Sequence, residues 1–208
     1  MPAEIRYHLI APADLDGVVA LHSELHVAMA GIESPRLYRA VAQDALRRGR
    51  AVCVVCTAGN EIAGCVTAIV NAAAYWRGFA WRRPALALRI LVHRLTRPGP
   101  AGSAPALAGG PFETGPAPGS WRDSNDRIAK VQFIGVAPRF RGQGMGVGLY
   151  RHLAVHLRER GLARIDARVA ADNAASTRLH HAAGWKLYPD ADGVFATLPL
   201  TAPDAAAR

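Results

Sequence analysis

The chain has 208 residues, of which 50% are hydrophobic and 20% are charged. This length suits one domain with a substantial core, and this composition excludes a disordered chain. No run of about 18 apolar residues occurs, which argues against a membrane span. The net charge of +9, carried mostly by arginine, favours a polyanionic partner such as nucleic acid, anionic lipid or a phosphorylated small molecule. No recognised nucleic-acid-binding motif is present, so nucleic acid is not the expected partner.

The N-terminal sequence and the cysteines indicate a reducing compartment. Residues 1–6 lack the basic and then apolar pattern of a secretory signal, so a cytoplasmic location is expected. Cys53 and Cys56 form a CxxC motif, which is found in zinc and redox sites. Residues three apart on a strand point to opposite faces, however, and no second CxxC or spaced histidine pair completes a metal site. We therefore predict no metal and interpret these cysteines, with Cys65, as small buried hydrophobic residues.

The first half of the chain is predicted to form a strand, two helices and a hairpin. The apolar spacing changes between the periods of strands and helices along this part of the sequence. Ser34 and Pro35 suit the start of the second helix, and Gly49 suits its end. The predicted strands cover residues 5–10, 51–57 and 62–71, and the first helix covers residues 14–29.

Regular structure is predicted to resume near Arg127. Strands are expected at residues 128–136, 164–169, 185–188 and 194–200. Helices are expected from about Met145 to Gly161 and over residues 173–183, where Asn173 would be the N-cap and Gly184 would follow the end. The tail after Thr201 is expected to be mobile.

A glycine-rich loop joins the strand 128–136 to the helix that follows it. Gly142, Gly144 and Gly146 occupy alternate positions at the start of that helix. Glycines allow a tight turn, and the first amides of a helix have no partner within the helix, so the loop would form a cradle for a pyrophosphate. A P-loop would need a Lys-Ser/Thr pair, which is missing. A dinucleotide fingerprint would need an acidic residue about 20 positions on, where Asp166 lies, but the predicted upstream hairpin and helices fit that fold poorly.

The loop resembles the acyl-CoA-binding motif of the GNAT superfamily of N-acetyltransferases. That motif has the form Arg/Gln-x-x-Gly-x-Gly/Ala, and this chain has Arg141-x-x-Gly144-x-Gly146. A second block, which includes Asn173-x-x-Ser176 and later Gly-Trp at 184–185, is similar to the family signature Asn-x-x-Ala/Ser…Gly-Phe. The resemblance covers residues 4–71 loosely and residues 127–200 well.

The resemblance implies a fold and an activity. The expected fold is of the α/β (α+β) class, with one domain over residues 1–208 and a mixed, mostly antiparallel twisted sheet flanked by helices. The sheet would splay beside strand 128–136. The expected activity is acetyl transfer from acetyl-CoA to a primary amine of a small molecule or peptide, by direct attack and without a metal. Monomer and homodimer are both left open, and a non-catalytic acyl-CoA-binding or sensor module is the alternative function.

The resemblance also assigns candidate roles to individual residues. Three backbone positions in the strand would meet the pantetheine arm, six loop residues would hold the pyrophosphate, and two residues of the second block would contact the cofactor. In that order they are Ile134, Gly135 and Val136; Arg141, Gly142, Gln143, Gly144, Met145 and Gly146; and Asn173 and Ser176. A contact with the outer nucleotide phosphate is left open among Arg139, Arg178 and Lys186.

The catalytic acid departs from the family pattern. His180 occupies the position of the family's usual tyrosine, and histidine can donate a proton near neutral pH. The alternatives are that His180 is a partly buried helix residue while water protonates the thiolate, or that Tyr188 is the donor. The amine must also lose a proton, because a lysine-like amine has a pKa of about 10.4. The base is left open among water and the carboxylates of Glu33, Glu113, Asp123 and Asp126.

Residues 72–126 lie outside the resemblance and are predicted to be an insertion between the third and fourth strands. Residues 75–97 are rich in Trp, Arg and Leu, and residues 85–95 have helical spacing with a basic edge. At about 12 residues this helix is too short to span a bilayer. It would either pack on the domain beside the acceptor, or contact an anionic membrane or a partner. Residues 98–125 have the composition of a loop, which would form a lid or be disordered.

Overall fold

The protein, described here from a computed structural model covering residues 4–25, 35–96, 111–190 and 193–200, is built on one seven-stranded sheet. The strand order is β1-β2-β3-β4-β5-β7-β6, and every neighbouring pair is antiparallel except β4 with β5. The strands are β1 Ile5–Leu9, β2 Ala51–Ala58, β3 Glu61–Val70, β4 Ile128–Val136, β5 Arg164–Val169, β6 Lys186–Asp190 and β7 Gly193–Pro199. The predicted mixed and mostly antiparallel sheet is thus confirmed.

Helices cover both faces of this sheet. They are α1 Leu15–Glu24, α2 Pro35–Arg47, α3 Ala72–Arg82, α4 Pro84–Thr96, α5 Met145–Glu159 and α6 Ala174–Ala182. One core lies between the sheet and α5, and α6 packs on the same side. The other core lies between the sheet and α1 to α4. Among the described helices, none has both the length and the apolar character needed to cross a bilayer.

The two cysteines of the CxxC motif lie on opposite sides of the sheet, as strand geometry predicts. Cys53 is buried in the core beneath α1 and α2, whereas Cys56 is buried in the core beneath α5. Within the described residues, no group of three metal-ligating side chains occurs.

The sheet splays between β4 and β5. β4 pairs with β3 along almost its whole length, from Ala129 to Val136. Its parallel pairing with β5, in contrast, stops at Lys130 opposite Asp166. Within the described part of the chain, the second half of β4 therefore has a free edge, which is the opening that was expected beside this strand.

The insertion differs from its prediction, because its described part contains two helices and not one. The sequence analysis assigned a helix to residues 85–95 only, and the structure adds α3 before it. Ala72, Tyr75 and Phe79 are spaced by three and four residues and are all buried, so they form the inner stripe of α3. Arg83 separates the two helices, and α4 begins at Pro84 because proline favours the first position of a helix.

The described end of the insertion, residues 111–126, contacts β6 at Leu187, β5 at Arg164 and β4 at Lys130, and we call it the strap. The amide of Glu113 donates to the carbonyl of Leu187 on β6. At the other end Asp126 accepts from Arg50 at 2.7 Å. The strap is thus fixed at both ends. The predicted positions 26–29, 34, 97–110 and the tail after 201 lie outside the described residues.

Candidate functional site

A cleft of about 540 Å³ opens at the free edge of β4. Its walls come from three parts of the chain: the C-terminal half of β4, the loop and first turn of α5, and the first turns of α6. The lining residues are Leu25, Ile134, Gly135, Val136, Phe140, Arg141, Gly142, Gly144, Met145, Gly146, Val147, Asn173, Ala175, Ser176 and Leu179. Arg141 is the one ionisable side chain in this lining, so the described walls favour an anion.

The start of α5 supplies unpaired amides to this cleft. Gly142 and Gly144 have φ of +78° and +76°, and an added Cβ would meet nothing within 4 Å at either. Glycine is therefore needed at these two positions because the backbone is left-handed there, and not because a side chain would clash with a neighbour. The first bond of the helix runs from the amide of Gly148 to the carbonyl of Gly144, at 3.0 Å. The amides of Met145 and Val147 precede that bond and lie at the positive end of the helix dipole.

The free edge of β4 forms the second wall. The amide of Ala137 donates to Ala63 of the β2–β3 hairpin, so the backbone groups of Gly135 point to the same side. Because the backbone groups of successive strand residues point in opposite directions, those of Ile134 and Val136 point away from β3, into the cleft. The guanidinium Nε of Arg141 donates to the Val136 carbonyl at 3.2 Å, which agrees with that orientation.

The start of α6 forms the third wall. The side-chain carbonyl of Asn173 accepts the amide of Ser176 at 3.0 Å and so caps the helix. This bond fixes the Asn173 side chain and leaves its NH₂ group free to donate. α6 lies close to α5 at this point, since a Cβ on Gly146 would be 2.8 Å from Leu179.

The structure places ten of the predicted cofactor-binding residues together on the cleft wall, and it leaves two predicted site residues off it. Gln143 is exposed in the loop but does not line the cleft, and His180 is buried behind it. Five residues that were not predicted as site residues also line the cleft, namely Leu25, Phe140, Val147, Ala175 and Leu179. In the sequence they carry no signal beyond a small or apolar side chain.

His180 lies in an aromatic cluster with Tyr150 and Trp185, and it is only 2% exposed. Its Nδ1 lies 2.7 Å from the carbonyl of Ser176, which can only accept, so Nδ1 carries the proton. Its Nε2 then accepts from the hydroxyl of Tyr150 at 2.7 Å. Burial lowers the pKa of His180 to about 4, against a smaller opposing effect of the Ser176 carbonyl. Both ring nitrogens are engaged and roughly one ring in a thousand is protonated at pH 7, which counts against His180 as a proton donor to the cleft.

The other acid–base candidates are occupied or exposed in the described structure. Asp123 accepts from Arg164 at 2.9 Å, and Asp126 binds Arg50 and Asn71. Glu113 is exposed on the strap, Tyr188 is buried, and Glu33 lies outside the described residues. Of the three candidates for the outer phosphate, Arg139 forms ion pairs with Glu24 and Glu61, whereas Arg178 and Lys186 are exposed.

A buried polar cluster lies where β4 and β5 stop pairing. Asp166 is fully buried, accepts from Thr197 at 2.9 Å and pairs with Arg164 at 3.1 Å. Lys130 is 4% exposed, and its ammonium donates to the carbonyl of Trp121 on the strap. Burial raises the pKa of Asp166 and lowers that of Lys130. The sequence analysis missed this cluster, because nothing in the local sequence shows that the strap covers it.

The described fold and cleft are similar to those of the GNAT acetyltransferases. Residues 115–185 match the model of the acetyltransferase (GNAT) family, a segment that contains β4, the glycine loop and α6. Many solved structures of GNAT acetyltransferases share the fold. These findings confirm the family resemblance that the two sequence blocks indicated. None of the curated proteins matches the chain by sequence.

Three solved structures illustrate the likeness in fold. The ribosomal-protein-S18-alanine N-acetyltransferase of Escherichia coli is 16% identical, with 99% of each chain covered and a TM-score of 0.55. The yncA protein of Salmonella typhimurium, solved with its cofactor acetyl-CoA, is 18% identical over 97% of this chain and 99% of its own, with a TM-score of 0.56. The PaiA N-acetyltransferase of Thermoplasma acidophilum, in complex with coenzyme A, is 9% identical over 94% and 99%, with a TM-score of 0.58.

Proposed function

We propose that the protein transfers an acetyl group from acetyl-CoA to a primary amine of a small molecule or peptide. The observation that carries this proposal is one cleft in which the free edge of β4 meets the unpaired amides of α5. A pyrophosphate suits those amides, and a pantetheine arm with its own amide groups suits an open strand edge. The described residues of the cleft fit this cosubstrate in both respects.

In this proposal each wall of the cleft has a separate task. The amides of Met145, Gly146 and Val147, with the guanidinium of Arg141, hold the pyrophosphate by charge and hydrogen bonds. Ile134 and Val136 orient the arm along β4, and the NH₂ group of Asn173 is free to contact it from the opposite wall. Binding in this way would place the thioester at a fixed position for attack.

The transfer itself requires two proton movements. The attacking amine loses a proton, a bond forms between its nitrogen and the acetyl carbon, and the carbon–sulfur bond breaks. The thiolate of coenzyme A then takes up a proton. In this proposal water supplies that proton, and His180 positions α6 against α5 through its bonds to Ser176 and Tyr150. A cytoplasmic location stays a prediction from the N-terminal sequence.

One observation favours a second function, a non-catalytic acyl-CoA sensor. No residue in the described lining of the cleft is an acid or base that titrates near neutral pH. Release of free thiol from acetyl-CoA, measured with a panel of amines, separates the two functions. Turnover with any amine supports the transferase, and tight binding of acetyl-CoA without turnover across the panel supports the sensor.

The Gly144→Ala substitution tests the cleft itself. A side chain in the left-handed region costs about 1–2 kcal/mol, and 1.4 kcal/mol is a factor of ten in affinity. If the loop relaxes to relieve this strain, its amides turn away, and the Kd for acetyl-CoA should rise roughly tenfold in calorimetric titrations.

Gly161→Ala is the matched control for this test. Gly161 has φ of +75°, also has nothing within 4 Å of an added Cβ, and lies at the far end of the same helix. It should lose a similar free energy of unfolding while the Kd for acetyl-CoA stays unchanged. Equal affinities in the two folded variants would contradict the proposed pyrophosphate site.

A further inference from the structure

The hairpin formed by α3 and α4 presents large apolar side chains to solvent. Trp81 is 88% exposed, Leu88 is 60% exposed, and Leu91 and Val92 are 52% and 50% exposed. These are the four most exposed large hydrophobic residues of the described chain. Leu88, Leu91 and Val92 are three and four residues apart and so share one face of α4. An exposed apolar face of this kind marks a contact surface more often than single scattered apolar residues do.

The exposed residues lie opposite the buried stripes of the same helices. Phe79 and Tyr75 are buried against the domain, and Trp81 lies about half a turn from them on the other face of α3. Ile90 is buried on α4, and Leu88 lies about half a turn from it. Each helix is therefore apolar on two faces. The domain core accounts for only one of them.

The sequence of the hairpin carries charge of one sign, and a carboxylate from outside it, Asp44 of α2, pairs with Arg82. Between Glu61 and Glu113 the sequence contains six arginines and no aspartate or glutamate. Arg77, Arg83 and Arg89 are exposed, and no ion pair involves them among the described residues. The surface therefore combines aliphatic side chains, an exposed tryptophan and unopposed positive charge.

We propose that the outward face of α3 and α4 binds the surface of an anionic lipid bilayer. Leucine and valine would enter the acyl boundary, tryptophan prefers the headgroup level, and arginines reach the lipid phosphates. Each cation near an anionic leaflet adds an attraction that salt weakens. The helices would lie in the interface, in keeping with their being too short or too polar to cross it.

The charge pattern distinguishes a bilayer from the other candidate occupants. A second copy of the chain would bring two arginine-rich hairpins together, which is unfavourable. Nucleic acid would satisfy the arginines but leave the exposed leucines and valine without a partner. An anionic lipid surface satisfies both the apolar and the charged groups.

Sedimentation of the full chain with vesicles tests this surface. We expect binding to vesicles of phosphatidylcholine mixed with phosphatidylglycerol, and little binding to vesicles of phosphatidylcholine alone. Leu88→Glu should lower the affinity for the anionic vesicles roughly tenfold or more. The substitution removes an apolar group that would enter the bilayer and adds a negative charge that the anionic lipids repel. Val155→Glu is the matched control, since Val155 is an exposed aliphatic residue (42%) on α5.

A second pair of variants tests the charges. Arg83→Gln with Arg89→Gln should weaken binding to anionic vesicles, whereas Arg151→Gln with Arg158→Gln, on the exposed face of α5, should not. Calorimetric binding of acetyl-CoA, which does not involve the hairpin, shows that each variant is folded. Failure of the lipid assay would therefore leave the proposed transferase site intact.

Three results would overturn the proposal. The first is absence of binding to anionic vesicles. The second is equal loss of binding in Leu88→Glu and Val155→Glu. The third is a concentration-dependent dimer that Leu88→Glu dissociates while the unmodified protein does not bind vesicles, which would assign the surface to a second copy.

Discussion

The cofactor cleft and the α3–α4 hairpin differ in what they require of the sequence. The cleft is built mainly from backbone groups, which are directed by left-handed glycines and by a strand edge without a neighbour. The hairpin is built from side chains, with one face on the domain and one face in solvent. A site built from backbone groups can be recognised in the sequence by a short motif at fixed positions. A helix with two apolar faces shows only a spacing of apolar residues in the sequence.

The largest expected effect on the free energy of unfolding tests whether the inner face of the α3–α4 hairpin is part of the domain core. Phe79→Ala removes a ring that is 1% exposed and packs with Tyr75 and Trp76. The lost burial and the resulting cavity should lower the free energy of unfolding by about 3–5 kcal/mol, measured by urea denaturation.

Trp81→Ala is the comparison for this prediction, because Trp81 belongs to the same helix and faces solvent. Its effect on the free energy of unfolding should stay within about 0.5 kcal/mol. A small effect for both variants would show that the hairpin is an appendage and that its inner face does not stabilise the domain.

The second largest expected effect is a loss of about 3 kcal/mol in the free energy of unfolding at acid pH, and it arises from His180 behind the cleft. The pKa of His180 is lowered to about 4 by burial, so the folded protein binds the proton less readily than the unfolded chain, whose histidine has a pKa near 6.5. Stability from this residue is therefore complete above pH 6.5 and is lost as the pH falls towards 4. His180→Gln should remove that part of the acid sensitivity, measured as the free energy of unfolding against pH.

The same variant examines catalysis. Gln can accept from the hydroxyl of Tyr150 but cannot titrate, so the pH dependence of thiol release between pH 7 and 9 should be that of the unmodified protein. A change in the shape of that profile would instead support His180 as the catalytic acid, as the family resemblance implied. A lower rate with an unchanged profile would fit a positioning role.

The sequence predicted most of the sheet and most of the cleft. β4 and β5 match their predicted residues, because β4 is mostly apolar and β5 alternates charged and apolar residues with the period of a strand. Gly142 and Gly144 were predicted to build the loop for a reason that the structure supports, namely a backbone conformation that favours glycine. Such local requirements can be recognised without knowing what packs nearby.

What the sequence did not predict depends on contacts between distant parts of the chain. α3 was missed although Ala72, Tyr75 and Phe79 have helical spacing, because Gly78 and the arginines weaken the pattern. Burial of His180 depends on Tyr150, which comes from a different helix. Asp166 pairs with Arg164, which is in turn held by Asp123 of the strap. None of these tertiary contacts can be predicted from the residues that flank each position in the sequence.

The smallest expected effect shows which force holds the hairpin in place. Arg82 at the end of α3 binds Asp44 of α2 at 2.9 Å, and their side chains are 29% and 11% exposed. Arg82→Gln should cost about 1 kcal/mol in urea denaturation, and Arg139→Gln, whose ion pairs are about half exposed, should cost less. If Arg82→Gln costs as much as Phe79→Ala, the hairpin is fixed mainly by charge at its tip. High salt would then release it, and its apolar outer face would have no fixed orientation. If the cost is small, the buried rings fix the hairpin, and the outer face is held rigidly towards its partner.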